Sequence, residues 1–333
     1  PIANLLNLDK IMEKIICEMV ISDMEEKLDK KQFGNQPHLG IQHYLIRLIH
    51  RILTNLDNNS KGEVKAVLAL FVDYKQAFSR QCHTLGIKSF IENGVRHSLI
   101  PLLMSYFEDR EMRVKWHGVI SQPKSLPGGG AIVATLGIWE YLSQTNNNAD
   151  CVPEEDRFKF VDDLTALDII NLLNIGLSSY NFKRHVASDI PSDSLYVDGE
   201  NLKTQQYLHQ MKQWSEDHQM LISKKKTKAI LFNYTYNYQM GTRIQLEDEN
   251  IDFVDKIKLL GTWINSKLTW DENSAYLIKK VNTRMLLIRQ ILSLGASKSE
   301  MVHFWIVFCR SVLEQSSVVW HASLTQQNSD DLE

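Results

Sequence analysis

Residues 66–72, Ala-Val-Leu-Ala-Leu-Phe-Val, form an unbroken apolar run that ends on Asp73. A run this short, with no polar alternation, suits a strand covered on both faces, its one charge placed at the exit. A second pair of runs constrains the fold further. Arg157-Phe158-Lys159-Phe160-Val161 and Leu164-Thr165-Ala166-Leu167-Asp168-Ile169-Ile170 are rich in aromatic and β-branched residues. They read as the two strands of a hairpin with Asp162 and Asp163 at its tip. At a tight turn both carboxylates can lean toward one point, and like charges that close raise a pKa unless something neutralises them. A divalent cation with hard oxygen ligands is the usual solution, Mg²⁺ above all. Asp is also an ordinary turn residue, and each site taken alone reads equally as a polar turn. Taken together, a buried strand delivering Asp73 and a hairpin delivering Asp162 and Asp163 offer rigid elements on which to hold metal.

The rest of the chain supplies helices around these strands. Leu8, Ile11, Met12, Ile15, Ile16, Met19 and Val20 recur at helical spacing over residues 8–28, as do Ile41, Leu45, Leu48, Ile49, Ile52, Leu53 and Leu56 over 41–56. The cluster Asp57-Asn58-Asn59-Ser60-Lys61-Gly62 predicts a turn before the first strand. Helices are predicted near 83–93, 97–108, 132–146 and 201–219, with strands at Met112–Trp116 and Ala229–Phe232. Residues 185–200 read as an exposed loop, and 275–294 with 299–313 as a helical pair.

Four cysteines, Cys17, Cys82, Cys151 and Cys309, lie far apart with no Cys-x-x-Cys pair, which suggests neither a zinc site nor a disulfide framework. Reduced thiols fit an intracellular protein, in nucleus or cytoplasm. His38 and His43 read as a chance pair. No apolar stretch approaches a membrane span. The net charge of −3 is low for a partner of phosphates, but it is segregated. Residues 256–298 hold Lys256, Lys258, Lys267, Lys279, Lys280, Arg284, Arg289 and Lys298 against Asp271 and Glu272, with Lys224-Lys225-Lys226 and Lys228 upstream. Charges act within a Debye length of roughly 8 Å, so a local basic surface can outweigh the total. Solvated helix faces are the plainer reading of the same lysines.

Asp73-x-x-x-Ala77-Phe78, followed some ninety residues on by Phe160-Val161-Asp162-Asp163, resembles the palm of a reverse transcriptase, most of all those of non-LTR (LINE-like) retrotransposons. Further blocks follow in the family's order. Pro1-Ile2-Ala3-Asn4-Leu5-Leu6 resembles the opening block, Gln32-Phe33-Gly34-Asn35 the Gln-x-Gly step, and Leu126-Pro127-Gly128-Gly129-Gly130 the template-contacting loop. Lys226-Thr227 stands like the family's Lys-Thr, Leu259-Leu260-Gly261 like the primer-grip hairpin, and Arg310 through Trp320 like the thumb. The resemblance implies an α+β fold: a right-hand polymerase palm of antiparallel sheet flanked by helices, with partial fingers and a helical thumb. Residues 1–65 would be partial fingers and leading helices, 66–255 the palm, and 256–333 the primer-grip hairpin and a C-terminally truncated thumb.

The implied function is RNA-directed DNA polymerase, extending a DNA primer on an RNA template with deoxynucleoside triphosphates. Asp73, Asp162 and Asp163 would hold two Mg²⁺ ions, with Mn²⁺ a possible substitute. Lys226 would neutralise or protonate the leaving pyrophosphate. Phe78 would pack under the sugar and exclude a ribose 2′-hydroxyl, while Gly129, Gly130, Phe160, Leu260 and Gly261 would contact substrates.

Two departures bear on activity. The family loop runs Gly-Gly-Gly-Pro-Gln-Gly, whereas Gly130 here is followed by Ala131-Ile132-Val133. Ile132 offers no amide and Val133 is stiff, so positioning of template and nucleotide is expected to weaken. Pro1 begins after the family's basic finger residues, which implies a fragment of a larger element protein or a decayed copy. Besides the polymerase, two alternatives stand: a catalytically silent palm–thumb module binding RNA or template–primer, and a different palm enzyme such as a nucleotide cyclase.

Overall fold

The computed structural model describes residues 7–57, 65–126, 128–130, 134–171, 202–233 and 244–332. Two helices, α1 (Asn7–Met24) and α2 (Ile41–Asp57), precede the apolar run, which becomes β1 (Lys65–Val72). Every residue from Ala66 to Val72 is buried, as a strand covered on both faces requires. The face of α1 departs from the periodicity reading. Ile16, Cys17, Val20 and Met24 are buried with Glu13, whereas Leu8, Ile11, Met12 and Ile15 are exposed. Those apolar positions wrap too far around the helix for one stripe to cover. Glu13 takes a place on the inner stripe because its Oε1 accepts hydrogen bonds from Tyr106 Oη at 3.1 Å and the Leu136 amide at 2.9 Å.

After a short 3₁₀ turn come α3 (His83–Glu92) and α4 (Ile100–Phe107), the second entered through a 3₁₀ turn at His97–Leu99. The single strand read at Met112–Trp116 is instead two nested hairpins. β2 (Glu111–Met112) and β3 (Lys115–Trp116) pair with β5 (Lys124–Ser125) and β4 (Val119–Ile120) in turn. His117 and Gly118 both take positive φ, which lets β3 reverse in two residues. α5 (Thr135–Gln144) leads to β6 (Arg157–Phe160) and β7 (Asp163–Asn171), the predicted hairpin. Then follow α6 (Lys203–Asp217), β8 (Lys228–Phe232), the small hairpin β9 (Gln245–Leu246) and β10 (Glu249–Asn250), and β11 (Asp252–Phe253). β12 (Lys256–Leu259), β13 (Thr262–Asn265), α7 (Asp271–Ser293) and α8 (Lys298–Phe304) follow, with a π-helical stretch at Trp305–Arg310 where one continuous helix was expected. The predicted loop at 185–200 and positions 58–62 of the predicted turn lie outside the described residues.

β1 is the centre of a five-stranded sheet in the order β11-β8-β1-β7-β6, antiparallel throughout except for the parallel edge pair β8–β11. Its side chains alternate between two cores. Ala66, Leu68, Leu70 and Val72 enter one, with α1, α3, α4, α5 and α6. Val67, Ala69 and Phe71 enter the other, with α2, the β12–β13 hairpin and the C-terminal helices. The α+β architecture of an antiparallel sheet flanked by helices is thus as the motifs imply.

Candidate active site

The register of the central strands brings the three aspartates to one end of the sheet. β1 pairs with β7 up to Val72 opposite Leu164. One step further sets Asp73 against Asp163, the first residue of β7. β6 and β7 close with Phe160 opposite Asp163, leaving Val161 and Asp162 as a two-residue turn. Val161 has φ +58°, and Asp162 is not in the positive-φ region. A left-handed first position is one that glycine ordinarily fills in such hairpins, and a β-branched residue there is strained.

Asp73 leaves the strand fastened to the segment that carries Lys226. Its carbonyl accepts from the Ser223 amide at 2.7 Å, and its amide donates to Thr227 Oγ1 at 3.4 Å. Lys226 Nζ lies 3.2 Å from Asp73 Oδ1 and 3.5 Å from Oδ2. The structure therefore brings four of the predicted residues, Asp73, Asp162, Asp163 and Lys226, into one electrostatic group.

Burial raises the pKa of Asp163 to about 6, with the charges of Asp162 and Asp73 adding to the rise and Lys226 opposing it. Asp162 is raised too, by burial first and then by Asp73. Tyr141, beneath them, is pushed well up by burial and by the same carboxylates, and its buried hydroxyl has no hydrogen-bond partner. This is a concentration of negative charge with too little positive charge to balance it, and hard oxygen donors suit Mg²⁺ or Mn²⁺. Asp73 Oδ1 is buried and its ion-pair partner is the Lys226 ammonium at 3.2 Å, so a metal would have to share that oxygen with Lys226. The side chains do not close on one point, however. Among the described residues no group of three or more His, Cys, Asp or Glu side chains is gathered closely enough to hold an ion.

The remaining predicted residues fall into two sets. Phe78, on the 3₁₀ turn Ala77–Arg80, stacks on Tyr141 with ring centroids 4.8 Å apart, next to the carboxylates. The glycine loop is tied to the same turn: Gly130 donates to the Phe78 carbonyl at 2.7 Å and Gly129 to the Gln81 carbonyl at 2.8 Å. Gly129 has φ +91°, and a Cβ on Gly130 would meet Gln81 Oε1 at 1.9 Å. Glycine is required at 129 by its backbone, whereas at 130 a side chain would have to displace the Gln81 amide. Residues 131–133 lie outside the described residues.

Phe160, Leu260 and Gly261 belong to the opposite core. Phe160 meets Tyr44 edge-on at 6.2 Å, and Phe160 and Leu260 both pack against that core. Leu260 and Gly261 form the β12–β13 turn, both at positive φ, and a Cβ on Gly261 would strike Gln315 Nε2 at 2.4 Å. The hairpin expected at Leu259-Leu260-Gly261 is therefore present and docked on the C-terminal segment.

Two features carry no site assignment from sequence. Gln32, read only as part of a motif, reaches the Val161 turn. Asp29, Arg157 and Lys159 form a buried ion cluster behind β6: Asp29 Oδ2 is 2.7 Å from Lys159 Nζ and 3.0 Å from Arg157 Nε. Arg157 and Lys159, two charged residues in a four-residue strand, are the sequence signal that could have found that cluster.

A carboxylate trio on a β-hairpin and an adjacent strand is an arrangement able to serve two-metal chemistry. The chain is 22% identical over 320 residues, 95% of its length, to "Probable RNA-directed DNA polymerase from transposon X-element" of Drosophila melanogaster. It is 25% identical over 297 residues, 88% of its length, to "Probable RNA-directed DNA polymerase from transposon BS" of the same organism. The chain is thus similar in sequence to RNA-directed DNA polymerases of transposons, the similarity its motifs imply. It spans 30% of the length of each of these curated relatives.

No family model matches it. Among solved structures, apo telomerase from Candida tropicalis overlaps 78% of this chain and 40% of its own, at 12% identity and TM-score 0.47. The telomerase of the same organism in complex with the TWJ fragment of telomeric RNA overlaps 95% of this chain and 49% of its own, at 13% identity and TM-score 0.46. No helix among the described residues is long and apolar enough to cross a membrane.

Proposed function

We propose that this chain is the RNA-directed DNA polymerase domain of a retrotransposon, extending a DNA primer on an RNA template by two-metal nucleotidyl transfer. The observation that carries the reading is the placement of Asp73 against Asp163 at the mouth of a hairpin whose tip is Asp162. Divalent ions, Mg²⁺ or Mn²⁺, would be held by Asp73, Asp162 and Asp163; when bound they supply charge stabilisation to the attacking and leaving oxygens. Asp163, titrating near 6, is ready as a ligand at neutral pH. Lys226 shares the charge of Asp73 and stands within reach of a leaving pyrophosphate. Phe78, held by its stack on Tyr141 and by the Gly130 amide, presents a rigid ring to the sugar.

The proposed parts are those of the motifs: leading helices to residue 65, palm to 255, primer-grip hairpin and thumb beyond. In the C-terminal part Lys258 and Lys280 both face the Tyr276 ring, at 4.2 and 5.6 Å from its centroid, a basic and aromatic surface suited to a nucleic-acid backbone.

The test is primer extension on an RNA template with Mg²⁺ or Mn²⁺, beside Asp162→Asn and a variant restoring Pro, Gln and Gly at 131–133. Extension that disappears in Asp162→Asn supports the polymerase. A second reading, a silent module binding RNA or template–primer, is favoured by Ala131-Ile132-Val133. Salt-dependent template–primer binding without extension, even after restoration, would establish it instead. Absence of both defeats both.

A further inference from the structure

The turn that presents Asp162 is held from outside its own hairpin. Gln32 is buried, and its Oε1 accepts two hydrogen bonds at 2.9 Å, one from the Gly34 amide and one from the Val161 amide. The segment carrying it lies along β6 as a short extra edge. Lys159 donates through its amide to the Lys31 carbonyl at 2.9 Å, and the Phe33 amide donates to the Lys159 carbonyl at 2.8 Å. Gly34 completes the seat. A Cβ there would stand 2.5 Å from Val161 Cγ2 and 2.7 Å from the Val161 nitrogen. Gly34 is not at positive φ, so space and not backbone freedom selects glycine.

Val161 occupies the left-handed region at φ +58°, a conformation a β-branched residue keeps only when its surroundings over-determine it. Its amide points away from the β6–β7 ladder and finds its acceptor in Gln32.

We infer that Gln32, seated by Gly34, is a positioning residue: its amide oxygen fixes the left-handed turn at Val161 and thereby sets the carboxylates of Asp162 and Asp163. This rests on the polymerase reading for what the carboxylates do, but the clamp itself is a property of the chain. A structural role alone would stabilise the fold without controlling the turn. The clamp makes a sharper demand: glycine at 161, which adopts the turn unaided, removes the need for Gln32.

The experiment compares the wild type with Gln32→Met, which keeps volume and loses the acceptor, and with the double variant Gln32→Met/Val161→Gly. Three readouts are taken: exchange of the Val161 amide by NMR on valine-labelled protein, affinity for Mn²⁺ by EPR, and kcat and KM for primer extension. In Gln32→Met the Val161 amide should exchange about fivefold faster or more relative to core amides of β1, as loss of one buried hydrogen bond implies. Mn²⁺ should bind more weakly, and kcat should fall with KM for the nucleotide little changed. The double variant should regain Mn²⁺ affinity and kcat.

Unchanged Val161 protection in Gln32→Met overturns the proposal, as does a double variant no better than the single one. Should Gln32→Met not fold, the double variant decides, because the clamp requires it to fold and to bind Mn²⁺ as the wild type does. A wild type and a loop-restored variant that both extend no primer defeat the polymerase reading alone, since exchange and Mn²⁺ affinity still judge the clamp.

Discussion

Replacing Asp29 by Ala strands a buried ammonium. Lys159 and Asp29 side chains are 3% and 4% exposed, and their charged atoms are 2.7 Å apart. Without Asp29, Lys159 Nζ keeps the carbonyls of Asn146 at 2.7 Å and Thr145 at 3.4 Å, which solvate a charge but do not neutralise it. Breaking a buried pair from one side costs about 3–5 kcal/mol. A second estimate comes from the escape route. Lys159 can shed its proton, and holding neutral at pH 7 a lysine of ordinary pKa costs about 4–5 kcal/mol at about 1.4 kcal/mol per unit.

The two figures agree, and the second has a pH signature. In Asp29→Ala, the neutral lysine is disfavoured less as pH rises, so the deficit should shrink by about 1.4 kcal/mol per unit above neutrality. Burial already lowers the Lys159 pKa in the intact protein against the pull of Asp29, and the shrinkage ends where the wild-type lysine itself deprotonates. On the acid side the signs reverse. Burial pushes the Asp29 carboxyl up, but Lys159, the Lys31 amide and Arg157 together hold it below its ordinary value. Its stabilisation is therefore present above the unfolded carboxylate pKa and lost as pH falls through the folded value, where wild type and variant converge. Urea melts from pH 4 to 10 measure all of this. A deficit under about 1 kcal/mol at pH 7, or one that does not change with pH, refutes the account of a charge left unpaired.

Lys226→Met should slow primer extension yet tighten Mn²⁺ by up to about fivefold, because the ammonium that competes for Asp73 is gone and an exposed pair is worth up to about 1 kcal/mol. Weaker Mn²⁺ binding in EPR titrations would contradict that competition. Asp163, raised to about 6, destabilises the metal-free fold as pH climbs from the ordinary carboxylate value through about 6, since the charged form is the costly one there. Stabilisation by Mn²⁺ in thermal melts should accordingly be larger at pH 7.5 than at pH 5, and the reverse order would exclude the raised carboxyl. Gly34→Ala should lose about 1–3 kcal/mol by overpacking against Val161, read in the same urea melts, whereas Trp116→Ser, at a side chain 73% exposed, should stay within about 0.5 kcal/mol.

The strands were legible because their patterns are extreme. Ala66–Val72 has no polar residue to place outside, and the two aromatic and β-branched runs within Arg157–Ile170 are parted by the adjacent pair Asp162-Asp163, so strand, hairpin and tip all follow from residue type. Their neighbourhood was not legible to the same degree. Nothing in Asp73 or Asp163 specifies that β1 lies beside β7 in a register setting the two opposite one another; that comes from burying both faces of β1. The α1 stripe was over-read because apolar residues surround most of that helix, and the choice of inner face turned on Glu13 and its partners across the core. Met112–Trp116 failed as one strand because the ladder breaks at Arg113-Val114, where the Val114 amide donates to the Ser121 hydroxyl instead of a strand carbonyl.

Strain at Val161 is the point where local and global preferences conflict, and the conflict is informative. Turn chemistry alone would put glycine there, and Val is among the residues least suited to the left-handed region. The chain keeps Val and spends a buried Gln and an obligatory Gly, more than a hundred residues upstream, on holding it. A rigid turn differs from a merely permitted one in how narrowly it orients the carboxylate that follows. Glycine would adopt this turn unaided, whereas a β-branched residue adopts it only when clamped. A chain selected for stability alone would relax this turn. The Gln32–Gly34–Val161 arrangement is therefore better explained by the demand for a fixed Asp162 than by the demand for a fold, and Val161→Gly should make Gln32 dispensable for Mn²⁺ affinity and kcat.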